Sequence, residues 1–461
     1  MNLSFLNWTR GAAPPDPPHP GVYHFLRQQG GRKVRLHLRI EPDGHGVLLV
    51  NASRIYHFNP TAAYMAYLCL NQAAAEDAVR ALTRRFDAPS DQVRQDYTAF
   101  CEQIERLTTV DDSCPVCELE LDTTAPFSDR PSAPYRMDLA LTYRCNNDCH
   151  HCYNLKPRAR RELDTSQWIE ALDRLWDIGI PHIVFTGGEP TLRPDLLQLI
   201  AHAEHNGQIT GLNTNGRQLK DPTFVAALCA AGLDHVQITL ESHDPHIHDR
   251  MVGRQVTCEE TVAGIRNALA NPLFVMTNTT MLKDNQHTLS ATLDFLAELG
   301  VPTVGLNALI YSGSGLKVGS GLPESSLPEL LELARDKTSE NQQRLIWYTP
   351  TQYCHFDPIQ LGLGVKGCTA ALYNMCVEPD GSVIPCQSFY HSLGSLLRDP
   401  WENIWEHELA VRLRERQDVP AACTACDLLQ ECGGGCPLAR QVCETALPLP
   451  VQTLPVGRLE K

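Results

Sequence analysis

Within the stretch "TYRCNNDCHHCYN", Cys145, Cys149 and Cys152 are separated by three and then two residues. A closed zinc site or an ordinary iron–sulfur cluster takes four protein ligands, so three thiolates on one short loop suggest a cluster with an open coordination position. A structural zinc site completed by His150 or His151 is the alternative. Further along, "HIVFT" runs into Gly187, Gly188, Glu189 and Pro190. Two glycines after a strand let backbone carbonyls and amides approach a polar ligand that no side chain could reach. A third chemical feature lies at the far end: Cys368, Cys376 and Cys386, then Cys423-x2-Cys426-x5-Cys432-x3-Cys436, then Cys443. Eight thiolates make two sets of four, each enough for a whole [4Fe–4S] cluster or a zinc site.

Positioning these groups requires a fold that brings loops together at one edge. From about residue 135, strand-like segments ("RMDLALTY", "HIVFT", "ITGLNTNG", "HVQITLES", "FVMTNTTM", "VGLNAL") alternate with helical patterns such as "TSQWIEALDRLWDIG". Six such units with short connections predict an α/β architecture, a parallel sheet curled into a partial (β/α)6 barrel over 135–330. The cysteine loop follows the first of these strands, at the C-terminal edge where such folds place their chemistry. A leader (1–19, Pro-rich) precedes a winged-helix-like α+β module over 20–110, with three strands ("VRLHLRI", "HGVLLVN", "RIYHFN") and three helices. The remaining segments are a linker over 111–134, a connector over 331–365, a cysteine-rich region with little helical pattern over 366–445, and a tail over 446–461.

The bulk composition permits this. A chain of 461 residues, 43% hydrophobic, has room for two to four cores at roughly 100–200 residues each. Its net charge of -15 argues against a general nucleic-acid or anionic-membrane surface, and no apolar run approaches the ~20 residues of a membrane span. The first twenty residues lack the basic-then-apolar pattern of a secretion signal, so a cytoplasmic location is expected. In that setting eighteen cysteines, many grouped at short spacings, point to metal or cluster ligands before disulfides.

Cys145-x3-Cys149-x2-Cys152 followed by Tyr153, "GGEP" at 187–190 and the six-unit pattern together resemble the radical S-adenosylmethionine (SAM) superfamily. The resemblance implies a [4Fe–4S] cluster on those three cysteines, with SAM bound at the open iron through its amine and carboxylate. One electron then cleaves SAM to methionine and a 5'-deoxyadenosyl radical, which takes a hydrogen atom from the substrate. It also implies an electron donor such as a flavodoxin or ferredoxin. Gly187, Gly188 and Glu189 would meet the methionyl amine. Ser242 in "TLES" and Arg254 in "MVGR" stand where relatives contact the ribose or carboxylate; a strand-end cap and a surface ion pair are the competing readings. Asn213 and Asn215 in "NTNG" end another strand, where a plain turn competes with a cofactor contact.

The rear cysteines, with Gly381 in "PDGSVIPC", resemble the SPASM extension of such enzymes. The resemblance implies two auxiliary [4Fe–4S] clusters with interleaved ligands. Cys368, Cys376, Cys386 and Cys436 would hold the nearer, and Cys423, Cys426, Cys432 and Cys443 the farther. Only four residues separate Cys376 from Gly381, closer than the usual spacing, which leaves open a nearer cluster with a free iron. Auxiliary clusters can accept the electron left after hydrogen abstraction, favouring an oxidation or cross-link; a purely structural role is the alternative. "GVLLVNASRIYHFNPTAAYMAYLCL" and its following helices resemble the peptide-carrier protein of the pyrroloquinoline quinone pathway, implying a precursor peptide bound as an added strand. The expected activity is therefore oxidative bond formation in a ribosomally made peptide. A tetrapyrrole-modifying enzyme and a non-enzymatic electron-transfer protein are the alternatives. Cys114, Cys117 and Cys354 receive no role; Cys69, Cys101, Cys229 and Cys258 are expected in helical cores, and His150 and His151 on the loop surface.

Overall fold

The computed structural model describes residues 18–29, 32–51, 54–108, 130–154 and 161–443, in two compact units, Met1–Thr124 and Ala125–Lys461. Most of the leader and linker, Cys114, Cys117 and the tail lie outside the described residues.

The first unit is an antiparallel sheet of β1 (Gly21–Gln29), β2 (Arg32–Ile40), β3 (Gly46–Val50) and β4 (Arg54–Phe58), in sequence order. Helices α1 (Pro60–Leu70), α2 (Ala75–Arg85) and α3 (Ser90–Thr108) follow. Three strands were expected and four are present. "GVYHFLRQQ" has no clean alternation, but it pairs with β2 residue for residue, from Gly21 with Ile40 to Gln29 with Arg32. Asn59 caps α1 by accepting the Ala62 amide at 2.8 Å, with Pro60 in the first turn where no N–H is needed. Leu36, Leu38, Leu48, Val50 and Phe58 of the sheet pack with Ala63 and Ala66 of α1 into one core.

The second unit carries the expected six strands: β5 (Arg136–Thr142), β6 (His182–Gly187), β7 (Ile209–Thr214), β8 (His235–Thr239), β9 (Phe274–Thr280) and β10 (Thr303–Asn307). They are parallel, each beside the next. Helices α4 (Thr165–Ile178), α5 (Leu196–Asn206), α6 (Pro222–Ala231), α7 (Pro245–Val252), α8 (Thr257–Leu269) and α9 (Leu289–Glu298) connect them. The first is sharply delimited. Asp164 and Gln167 form a reciprocal capping box, and Gly179 closes the C-terminus at φ 100°, a left-handed conformation suited to glycine.

Two findings extend this sheet beyond the expected barrel. The connector contributes α10 (Leu327–Glu340) and a seventh parallel strand, β11 (Arg344–Trp347), next to β10. The cysteine-rich region then returns to the opposite edge: β12 (Asn374–Val377) runs parallel to β5, followed antiparallel by β13 (Ser382–Ile384) and β14 (Gly394–Ser395). The same region holds four short helices, α11 (Trp401–Trp405), α12 (Glu408–Arg414), α13 (Leu429–Cys432) and α14 (Pro437–Cys443). Little helix was expected there; segments of one or two turns are too short to display a 3.6-residue period.

One face of the sheet packs on the helices through Leu139, Phe185, Leu212, Val236, Ile238, Val275, Val304 and Leu306. The alternating residues face the other way, and among them are Asp138, Asn213, Gln237, Asn278 and Gly305. No helix among the described residues is long and apolar enough to cross a membrane.

Candidate functional site

The loop after β5 is tied by hydrogen bonds to segments at the ends of α7, β7 and β10. The Asp148 and His150 amides donate to the Val252 and Met251 carbonyls at the end of α7, at 2.9 and 3.1 Å. Arg217 donates to the Asn146 carbonyl at 2.7 Å and the Asn147 side chain at 3.0 Å, and Asn215 donates to the Asn146 side chain at 2.6 Å. The Ser314 amide, in a Gly-rich turn after β10, donates to the Cys152 carbonyl at 2.8 Å. Cys145, Cys149 and Cys152 are each half-buried on this clamped loop, and the Asn147 amide donates to the Cys145 sulfur at 3.4 Å. An N–H aimed at a cysteine sulfur stabilises thiolate character and tunes a cluster's potential, so the loop fits the group that three cysteines imply.

The glycine turn leaves β6 against that loop. The Gly188 amide donates to the Thr142 carbonyl at 2.7 Å and the Glu189 amide to the Arg144 carbonyl at 2.9 Å. Gly187 has φ 138°, and a side chain at Gly188 would collide with the carbonyls of Tyr143 and Arg144. Both glycines are therefore required by backbone proximity. Glu189 is 1% exposed, and its carboxylate accepts from the Asn215 amide at 2.8 Å, the Thr214 hydroxyl at 2.7 Å and both donors of Thr191, at 3.1 and 2.6 Å. Burial raises its pKa and these bonds oppose the rise. The side chain thus ties the turn to the end of β7.

The weaker candidates separate. Ser242 is fully buried; its hydroxyl bonds Thr288 at 3.0 Å and accepts the Asp244 amide at 3.1 Å, a local cap just before α7. Arg254 is exposed just beyond α7. Asn213 is half-buried on β7 in register with Gln237 of β8, and across the same face the side-chain Oδ1 of Asn278 on β9 is buried with no hydrogen-bond partner among the described residues. His150 is exposed as expected, but His151 is not a surface residue. Its side chain is 10% exposed and its Nε2 bonds Glu241 at 2.9 Å. Burial would lower its pKa, yet the adjoining Glu241 carboxylate raises it overall. Glu241, 1% exposed, also accepts the Thr280 amide at 2.9 Å. Sequence reasoning passed over Glu241 although it lies inside "TLES".

The rear thiols fall into groups. Burial pushes Cys368 up to about 11, and Cys436 adds to it. Burial likewise pushes Cys386 up to about 12, with Cys368 and then Cys436 adding. These three thiols perturb one another electrostatically. Cys376 is placed differently: on β12 in register with Asp138 of β5, fully buried with Ala140, Tyr143, Ile384 and Tyr390, its thiol 3.7 Å from the Val377 carbonyl. Burial raises this thiol well above its ordinary value, and Asp138 and Glu378 add to the rise before Cys386 does. Cys423, Cys426 and Cys432 lie on α13 and the turn before it, where the Tyr353 amide donates to the Cys432 sulfur at 3.4 Å. Cys354, which follows, is exposed near this group. Cys443 ends α14, and its side chain lies outside the described part. Cys258 is buried, and Cys69, Cys101 and Cys229 are half-buried in helices. Among the described residues, no three Cys, His, Asp or Glu side chains are gathered at the spacing of a single metal ion.

Three regions of the chain match known families. Residues 139–296 match the radical SAM superfamily, 368–427 an iron–sulfur cluster-binding domain known as SPASM, and 45–107 coenzyme PQQ synthesis protein D. A PqqA peptide cyclase of Ruegeria pomeroyi is 30% identical over 321 residues, which cover 66% of this chain and 82% of that protein. This chain belongs to the radical SAM superfamily. An AdoMet-dependent heme synthase of Methanosarcina barkeri is 25% identical over 66% of this chain and 91% of its own length. In fold, the radical SAM chain resembles Streptococcus suis SuiB bound to S-adenosylmethionine, at TM-score 0.65 and 17% identity, over 88% of this chain and 95% of SuiB. SuiB bound to its precursor peptide SuiA gives TM-score 0.64 at 16% identity, over 87% and 94%. The protein is accordingly a radical SAM enzyme, with SAM and [4Fe–4S] clusters as its cofactors.

Proposed function

We propose that this enzyme modifies a ribosomally made precursor peptide by hydrogen abstraction and oxidative bond formation. The observation that carries the reading is the joining, in one chain, of a module matching PQQ synthesis protein D to a radical SAM region that is 30% identical to a PqqA peptide cyclase. The module's sheet has the strand edges that β-augmentation by a peptide requires: among the described residues β1 and β4 each pair on one side only. The heme synthase relative supports the tetrapyrrole alternative, but the front module favours a peptide.

In this reading Cys145, Cys149 and Cys152 hold the cluster that binds SAM, and Gly187, Gly188, Glu189, Asn213, Ser242 and Arg254 surround the cofactor. Glu189 and Ser242 act through the backbone they pin, whereas Asn213 and Arg254 offer side chains directly. Cys368, Cys386 and Cys436 belong to the nearer auxiliary cluster and Cys423, Cys426, Cys432 and Cys443 to the farther, with Cys376 a buried thiol of the sheet. When bound, these groups supply one-electron cleavage of SAM to a 5'-deoxyadenosyl radical and a sink for the electron left on the substrate. A flavodoxin or ferredoxin provides the reducing electron.

The test immobilises the full-length, anaerobically reconstituted chain in a lysate of the source organism and identifies retained small molecules and peptides by mass spectrometry. The retained peptide is then incubated with enzyme, SAM and dithionite. A short ribosomal peptide that loses two hydrogen atoms per new bond, with 5'-deoxyadenosine formed, is the expected result. Retention of a tetrapyrrole, or of a peptide that leaves unchanged, overturns the reading.

A further inference from the structure

Asn154, two residues past the last cysteine of the loop, is 4% exposed and joins three elements. Its carboxamide nitrogen donates to the Gly187 carbonyl at 2.9 Å, and its carboxamide oxygen accepts from the Tyr390 hydroxyl at 3.0 Å. A backbone carbonyl can only accept, so Gly187 fixes which way the amide points, and Tyr390 must then be the donor. Tyr390 stands in the loop between β13 and β14, four residues after Cys386. Beside it, the Tyr153 hydroxyl donates to Gln387 at 3.2 Å, and the Tyr143 hydroxyl donates to Glu378. On the other side, Gly313 packs so closely on the Tyr153 and Asn154 carbonyls that a Cβ there would collide with them.

We propose that Asn154 and Tyr390 are positioning residues for SAM, holding the Gly187 carbonyl in place so that the loop following Cys386 forms the back wall of the SAM site. The inference rests on the reading that the glycine turn meets the cofactor. Physically, the turn has strong backbone anchors at Gly188 and Glu189, and Asn154 supplies the side-chain anchor at Gly187. Because Asn154 is itself oriented by Tyr390, the SAM site and the hairpin carrying Cys386 move as one piece.

The experiment measures the dissociation constant for SAM by equilibrium dialysis against full-length, anaerobically reconstituted enzyme. It is paired with iron content and with 5'-deoxyadenosine formation under dithionite. Tyr390→Phe, which removes one hydroxyl and keeps the ring, is expected to weaken SAM binding roughly three- to ten-fold with iron content unchanged. Asn154→Ala leaves the half-buried Gly187 carbonyl without the Asn154 donor and weakens binding roughly ten-fold or more. The double variant is expected to be no weaker than Asn154→Ala alone, because Tyr390 acts through Asn154. Wild-type affinity in Tyr390→Phe, additive losses in the double variant, or a loss of iron in place of a loss of affinity would each overturn the proposal. Wild-type enzyme that binds SAM without forming 5'-deoxyadenosine would instead count against the radical reading alone.

Discussion

Gly188→Ala isolates the contact on which the SAM site depends. Gly188 has none of the left-handed backbone that makes alanine strained, so any effect must come from space. An added Cβ would sit 2.7 Å from the Tyr143 carbonyl oxygen and closer still to that of Arg144, and both obstacles are backbone that cannot rotate away. The turn must retreat, breaking the Gly188 and Glu189 amide bonds to Thr142 and Arg144. Each net hydrogen bond is worth about 1 kcal/mol, and up to about twice that when a buried partner is left unpaired, so the loss is about 2–4 kcal/mol. If the turn binds SAM only in its native position, affinity falls roughly 30- to 1000-fold. The assay is SAM equilibrium dialysis against anaerobic holoenzyme, with iron content measured in parallel. Wild-type affinity in Gly188→Ala with iron content intact would refute the placement of the cofactor at this turn.

Two other consequences follow from buried groups. With three [4Fe–4S] clusters the wild-type chain should carry about twelve irons; Cys386→Ala is expected to lose about four of them and Cys376→Ala none, whereas equal losses in the two variants would make Cys376 a ligand of the nearer cluster. His235, bonded to His182 at 2.9 Å, is held at about 4 by burial and then by the Arg136 charge. The unfolded chain therefore binds the extra proton first, so stability is full above about 6.5 and is lost as pH falls toward 4, by at most about 3 kcal/mol. Urea unfolding at pH 7 and pH 5 checks this, and His235→Gln should lessen the difference between the two.

The chemistry was more legible than its support. Three cysteines on one loop and two glycines after a strand are local signals, because ligand spacing and backbone approach are set within a few residues. Their supports come from far along the chain: Glu241 reaches His151 across 90 residues, Arg217 reaches Asn147 across 70 and Tyr390 reaches Asn154 across 236, distances at which periodicity says nothing. The surface placement expected for His151 failed because exposure was inferred from its loop, while a buried carboxylate partner decided the matter. Cys376 entered the nearer cluster through the resemblance, with its short spacing to Gly381 already setting it apart. Its strand offers a clue: Met375 and Val377 belong to the core, so alternation turns Cys376 to the other face, beside Asp138. Recognising that requires knowing that "NMCV" is a strand, and its pairing with β5 is a contact that sequence spacing does not encode.

That pairing changes what the cysteine-rich region is. As a separate extension it would only need to carry clusters near the barrel, and its position would depend on a linker. Instead β12 supplies hydrogen bonds to the open edge of β5, the strand that delivers the three-cysteine loop, and β13 leads directly to Cys386. The region expected to begin at 366 therefore completes the same sheet that positions the first cluster loop. Tyr143, Tyr153 and Asn154 of that loop are bonded to Glu378, Gln387 and Tyr390 of the hairpin, respectively, so the separation of the two cysteine groups is set by strand register and side-chain bonds. The front unit, by contrast, has a sheet and core of its own, as the proposed separate handling of the peptide requires.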